Sequence, residues 1–173
     1  MNIFYTDSDP FIAASHHNTI HTRKMIVEYA QLLSTAHHLI DGDNALQGIY
    51  SCTHKNHPSA IWCRSGQYQY EWVLDCAIEL CRLYTLNTGK IHKTESILEK
   101  LKTLPKNITV REWTDPPIAA PDKFKMQVIL GTNICKAYQN YLLEKFEEWR
   151  TRTDKKPMFA EWWGDAPEWV KLK

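Results

Sequence analysis

The stretch from Thr19 to Gly42 reads TIHTRKMIVEYAQLLSTAHHLIDG, and it decides the fold class. Its apolar side chains recur at intervals of three and four residues, which predicts one long amphipathic helix from about Thr19 to Ile40. Asp41 and Gly42 then supply a stop signal, because glycine readily takes the backbone conformation that ends helices. The side of this helix expected in the core carries Met25, Tyr29, Leu32, Leu33, Ala36 and Ile40.

The opposite side of the same helix is a polar stripe at helical spacing. Such a stripe is either a solvated surface or the wall of a ligand groove, and the sequence leaves both interpretations open. An i,i+4 pair of Lys24 and Glu28 is likewise either an ordinary surface ion pair or a candidate for acid/base chemistry. The polar stripe consists of His21, Lys24, Glu28, Gln31, Thr35 and His38.

The rest of the chain predicts further helices, so we expect a mostly α fold. We expect a single compact domain over residues 1–173, built as a helical bundle with long loops. Helices are expected after an Asp9 cap at Pro10, over Tyr68–Asn87, over Ile91–Leu104, and from a Thr132 or Asn133 cap to about Arg150. Three prolines predict an irregular loop over residues 107–125. The aromatic tail, residues 150–173, is expected to pack back on the body.

Composition excludes several classes of protein. The 173 residues carry 21 Lys and Arg against 20 Asp and Glu, a net charge of +1, so any phosphate contact must come from a local patch. No apolar run approaches the roughly 20 residues that cross a bilayer, so we expect a soluble, cytoplasmic protein with no membrane partner. The five cysteines contain no CxxC pair and are typical of buried hydrophobes.

A phosphate-binding patch is the chemistry that the polar residues favour. A loop of about fifteen residues ends in Thr53-His54-Lys55-Asn56-His57-Pro58, and folding of this loop over the polar stripe would gather its cations. Amides would then read a base edge, and aromatic rings would stack on the base. The predicted ligand-binding residues are His21, Arg23, Lys24, Gln31, His54, Lys55, Asn56, His57, Arg64, Tyr68, Tyr70, Trp162 and Trp163.

Other site chemistries find little support in the sequence. Histidines at positions 17, 21, 54 and 57 invite a metal interpretation, but no zinc-ligand spacing is present, so we expect neither a metal nor a cofactor. Serine-hydrolase, P-loop and dinucleotide-binding signatures are also missing.

The order of these features resembles the phage pyrimidine-dimer DNA glycosylase (endonuclease V) family. The similarity lies in Glu28-Tyr29 and Gln31-Leu32 on the long helix, in Tyr141–Phe146, and above all in the tail Lys156–Gly164. The opening Met1–Pro10 and the run Gln31–His37 also look like a set of phage proteins of unassigned function, which suggests a phage protein acting in the host cytoplasm during infection.

The resemblance implies a helical domain with a groove for DNA and an extruded base. In that family the α-amine of an N-terminal Thr attacks the sugar C1′, and a glutamate on the first long helix assists. This sequence departs at both places, since Asn2 is expected to leave Met1 in place and the matching helix position carries Gln31. An enzyme would therefore need Met1 or Lys24 as nucleophile and Glu28 as the acid/base residue.

Two functions consequently compete. The first is a nucleotide- or nucleic-acid-binding protein that uses a glycosylase-like groove without catalysis, for example to sequester a nucleotide signal of host immunity as an anti-defence protein. The alternative is a working DNA N-glycosylase and abasic-site lyase of the base-excision type. The sequence does not determine the ligand or the oligomeric state.

Overall fold

The computed structural model describes residues 1–171, and over these residues it is a helical bundle without strands. Helices make up 57% of the chain, and the prediction of a mostly α fold is confirmed. The helices are α1 (Pro10–Ser15), α2 (Thr19–Asp41), α3 (Pro58–Cys63), α4 (Gln67–Thr88), α5 (Glu95–Leu101), α6 (Asp122–Ile129), α7 (Ile134–Thr151) and α8 (Glu168–Lys171). Within the described part of the chain, no helix is long and apolar enough to cross a membrane.

Helix α2 is the centre of the bundle, and α4, α3 and α5 pack around it. Asn18 caps its N-terminus by accepting from the backbone N–H of His21, and the chain leaves it at Gly42 with a φ of 55°. The helix is buried on more than its apolar side, since Glu28, Thr35 and several other polar residues are also buried. The polar stripe is therefore solvated only in part, because Lys24 is exposed while His21, Glu28 and Thr35 are buried.

The loop that ends at Pro58 lies on the polar stripe of α2. Thr35 donates its hydroxyl to the carbonyl of Thr53 at 3.0 Å, and the backbone N–H of Thr53 is 3.1 Å from the same hydroxyl oxygen. One turn further along α2, Nε2 of His38 donates to the carbonyl of Tyr50 at 2.9 Å. These bonds supply the partners that the polar residues of a covered helix need.

The N-terminal segment runs extended into the core, where Ile3 and Tyr5 are fully buried. Helix α7 docks onto this segment through Tyr138, whose buried hydroxyl donates to the carbonyl of Pro117 at 3.0 Å and lies 3.4 Å from Oδ1 of Asn2. As a result, the first two residues of the chain lie between α2 and α7.

Two secondary-structure predictions are wrong in extent. The prolines were expected to keep residues 107–125 free of helix, yet α6 starts at Asp122, because Pro121 lies at the cap position and its missing N–H costs nothing there. The helix expected over Ile91–Leu104 forms only from Glu95 to Leu101.

The aromatic tail packs back on the body. The carbonyl of Glu161 accepts from the backbone N–H of Thr19 at 2.8 Å, which fastens the tail to the start of α2. The indole of Trp162 donates to the carbonyl of His16 at 3.1 Å, and its ring contacts Phe146. Trp169 is buried.

Candidate functional site

A cavity of about 370 Å³ lies where the N-terminal segment, α2, α7 and the tail meet. Seven-residue spacing on α2 places His21 and Glu28 roughly 10 Å apart along one side of the helix, with Lys24 between them. The volume of the cavity falls in the range of small-molecule sites, roughly 300–1,000 Å³. The cavity is lined by Met1, Asn2, Phe4, Ile20, His21, Lys24, Glu28, Tyr141, Lys145, Trp149 and Met158.

The carboxylate of Glu28 organises the polar end of the cavity. Its Oε2 accepts from the backbone N–H of Asn2 at 2.9 Å and lies 3.4 Å from the N-terminal nitrogen of Met1. Its Oε1 is 3.3 Å from Nζ of Lys24. The side chains of Met1 and Glu28 are 1% and 12% exposed, so their contact is made largely out of solvent, where charge interactions are stronger than at a surface. The Lys24 side chain is 67% exposed, so its pair with Glu28 is screened by solvent.

Lys145 of α7 adds a third cation to this end. Its Nζ lies 5.8 Å from the ring centre of Tyr141 and 5.7 Å from that of Trp149, one turn to either side on the same helix. Burial lowers the pKa of Lys145, and the positive charge of Lys24 lowers it further. The cavity lining therefore carries three cations, Met1, Lys24 and Lys145, against the one carboxylate of Glu28, and its net charge is positive.

The other end of the cavity is aromatic and contains His21. The imidazole is 2% exposed and lies 4.6 Å, centre to centre, from the ring of Phe4 and 5.0 Å from that of Trp149. Burial lowers the pKa of His21 to about 2, and the charges of His17, Lys145 and Lys24 act in the same direction. The ring is consequently a neutral imidazole.

His57 lies beside this site, in a neighbouring hollow that shares Tyr141 with the cavity. Burial lowers the pKa of His57, the N-terminal ammonium and His54 lower it further, and Glu28 opposes them. The imidazole of His57 is therefore within electrostatic reach of both Met1 and Glu28. The loop over the polar stripe therefore brings one of its histidines to the site.

Several predicted ligand-binding residues lie elsewhere. His54, Lys55 and Asn56 are exposed on the loop, and Gln31 is half-buried, but none of these four lines the cavity. The carbonyl of Arg23 accepts from His92 in the connection before α5, so this part of α2 faces away from the site. Arg64 ends α3, outside the cavity lining.

Of the four predicted stacking residues, Tyr70 needs correction, and the other three lie outside this cavity. Tyr70 is fully buried, and its hydroxyl donates to the carbonyl of Leu101 at 2.8 Å, so it is a core residue that no ligand reaches. Tyr68 is 48% exposed at the start of α4, outside the cavity lining. Trp162 and Trp163 hold the tail against the body, and Trp163 packs near Tyr84. The rings that do line the cavity belong to Phe4, Tyr141 and Trp149.

Four residues that line the cavity are missing from the predicted ligand-binding residues: Phe4, Tyr141, Lys145 and Trp149. The sequence held a signal for three of these residues, because Tyr141, Lys145 and Trp149 follow each other at four-residue intervals on the last long helix.

Comparison of the chain with family models, with curated proteins and with solved structures finds no match in any of the three.

Proposed function

We propose that this protein is a DNA N-glycosylase with abasic-site lyase activity, in which an amine in the cavity attacks C1′ of a deoxyribose. The observation that carries the proposal is the contact of the Met1 nitrogen with Glu28 at 3.4 Å, at one end of a cavity large enough for a nucleotide. Amine nucleophiles need a neighbouring group that accepts and returns protons. A carboxylate within hydrogen-bonding reach of the amine fills that role.

Met1 is the better of the two candidate nucleophiles. Nζ of Lys24 is also close to Glu28, at 3.3 Å. In model peptides, however, an α-amine has a pKa of about 8 and a lysine amine one of about 10.4, so an α-amine is more often neutral at pH 7. Lys24 and Lys145 are assigned to the phosphates that flank the attacked sugar.

The reaction proceeds in two parts. The amine nitrogen forms a bond to C1′ as the bond from C1′ to the base or, at an abasic site, to the hydroxyl oxygen breaks, and Glu28 takes a proton from the amine and passes it to the leaving group. The C1′–O4′ bond then breaks, O4′ takes up a proton, and the nitrogen becomes an iminium at C1′. Loss of the proton on C2′ to Glu28 then expels the 3′-phosphate by β-elimination. A base within a duplex must leave the stack to reach such a cavity.

Borohydride trapping tests this proposal directly. An oligonucleotide with one abasic site is incubated with the protein and sodium borohydride, which reduces an imine to a stable covalent adduct. We expect an adduct that peptide mapping locates at Met1. The proposal fails if no adduct forms at protein concentrations that saturate the oligonucleotide.

A second candidate, nucleotide binding without bond cleavage, is favoured by a different observation. Two lysines and three aromatic rings line the cavity, and they can hold a phosphate and stack a base whether or not any group reacts. The near-zero net charge suits a small ligand in a concentrated patch. Salt-sensitive thermal stabilisation by one nucleotide, combined with no covalent adduct, would favour this function.

A further inference from the structure

One buried polar atom of the cavity has no partner. Nε2 of His21 makes no hydrogen bond to any residue that the structure describes, although the histidine is 98% removed from solvent. An unmet donor or acceptor in such a place costs free energy, because the group has lost its hydrogen bonds to water and gained none. Protein interiors seldom leave such a group unpaired without a functional reason.

The neighbouring Asn18 fixes which ring nitrogen carries the proton. Oδ1 of Asn18 accepts from the backbone N–H of His21 at 2.8 Å, which turns the amide nitrogen of Asn18 toward the ring. That amide nitrogen lies 3.5 Å from Nδ1 of His21. Because an amide NH₂ group only donates, Nδ1 must accept, and a neutral imidazole then carries its proton on Nε2.

We propose that Nε2–H of His21 donates a hydrogen bond to an acceptor atom of the base that occupies the aromatic end of the cavity. This inference deepens the proposed function and rests on it, since it names the part of the substrate that this end recognises. The rings of Phe4 and Trp149 pack on His21 at interplanar angles of 45° and 64°, and they make this end of the cavity apolar. Nζ of Lys24 pairs with Glu28, two turns along α2 from His21, and Nζ of Lys145 lies 5.7 Å from the ring centre of Trp149. The sugar and its phosphates belong beside these two amines.

The neutral state of His21 determines which chemical groups this side chain can recognise. A charged imidazolium would attract phosphate, and it would face repulsion from Lys24 and Lys145. A neutral donor discriminates between bases by the presence or absence of an acceptor at one position, because a missing acceptor leaves the N–H unpaired. His21 is thus a specificity-determining residue, and the reacting amine is elsewhere.

The experiment compares a natural nucleotide with its non-polar isostere. Calorimetry identifies which of the four deoxynucleoside monophosphates binds most tightly, and then measures its isostere, a fluorinated benzene for a pyrimidine or a fluorinated indole for a purine. We expect the wild-type protein to prefer the natural nucleotide by about tenfold, as one net hydrogen bond would give. His21→Phe should abolish the preference, and His21→Gln, which keeps an N–H donor, should restore part of it.

Three results would overturn the inference: no preference in the wild-type protein, an unchanged preference in His21→Phe, or no binding of any of the four nucleotides. Trapping of the abasic oligonucleotide separates this inference from the proposed function, because that substrate has no base. A wild-type protein that forms no adduct with the abasic oligonucleotide, but whose preference for the natural nucleotide is lost in His21→Phe, would exclude only the amine chemistry.

Discussion

The N-terminal nitrogen of Met1 lies 3.4 Å from Oε2 of Glu28, and the next backbone N–H along the chain donates to the same oxygen at 2.9 Å. The carboxylate of Glu28 on α2 therefore fixes the positions of the first two backbone nitrogens. The side chain of Asn2 reinforces this by donating to the carbonyl of Ala119 at 2.9 Å. The amine is held in place from several sides, as a reacting group needs to be.

Extending the chain before Met1 tests the role of this amine. A Gly-Ser extension converts the Met1 nitrogen into an amide, which is not a nucleophile, and moves the new amine away from Glu28. We expect at least a hundredfold slower borohydride trapping on an abasic oligonucleotide, because general acid–base and nucleophilic groups each contribute about 10² or more. Thermal unfolding checks that the extended protein is folded. Trapping at the original rate would transfer the nucleophile to Lys24.

Replacing the carboxylate tests the proton-transfer step. Glu28→Gln keeps the size of the side chain and removes its charge and its basicity, so we expect trapping and strand cleavage to slow by about 10²-fold or more. Glu144→Gln is the matched control, because Glu144 is a more exposed carboxylate of α7 that pairs with Lys123. Equal rates in the two variants would contradict the proposed role of Glu28.

The local signals in the sequence predicted the helices and part of the site. The periodicity of α2, the Asp9 cap with Pro10, and the Asn133 cap of α7 depend on neighbours within one turn, and the structure confirms them. The loop at Thr53 also lies over the polar stripe as the sequence favoured. Short-range chemistry is sufficient for these features.

Features that depend on tertiary packing were not predictable in the same way. The first five residues form a segment too short to show a hydrophobic period. Nothing local therefore indicates that Ile3 and Tyr5 are buried, or that Met1 reaches Glu28. Tyr70 and Tyr68 are two residues apart with the same chemistry, and only the packing of α4 makes one a core residue and the other exposed. Aromatic rings fit cores and ligand sites equally well, so the sequence alone placed the core residue Tyr70 among the ligand-binding residues.

Lys145 should contribute to phosphate binding more than other lysines of α7. Lys145→Met removes a cation from the cavity and keeps an unbranched chain against Tyr141 and Trp149. We expect about tenfold weaker binding of a deoxynucleoside monophosphate and a shallower salt dependence, as loss of one phosphate contact gives. The control is Lys136→Met at an exposed position of the same helix, and equal effects of the two would argue against the assignment.

Tyr70→Phe separates a core role from a ligand role. The hydroxyl of Tyr70 donates to the carbonyl of Leu101 and lies 3.0 Å from Nε2 of His37, so its removal leaves both groups unpaired in the core. We expect the free energy of unfolding to fall by about 1–2 kcal/mol, with nucleotide affinity unchanged. Tyr68→Phe should change neither quantity, because that side chain is largely exposed. Weaker binding in Tyr70→Phe at unchanged stability would contradict the core assignment.

Acid should destabilise the protein through the histidines at the start of α2. Burial lowers the pKa of His17 to about 4 and that of His21 to about 2, from an ordinary value of 6.5. Below pH 6.5 the unfolded chain binds protons that the folded chain does not, so the free energy of unfolding falls as the pH falls. Each such histidine contributes a slope of up to about 1.4 kcal/mol per pH unit.

Urea unfolding at pH 7, 6 and 5 measures this slope. Carboxylates also titrate toward the acid end, so the informative quantity is the difference between the wild-type protein and His21→Phe. The variant has no imidazole at that position, and we expect its stability to decline less steeply by up to the slope of one proton between pH 6 and pH 5. Identical slopes would contradict this prediction, because they would mean that His21 takes up its proton in the folded state. The prediction expects no such uptake, since Lys24 and Lys145 face the same cavity and would repel a charged imidazole.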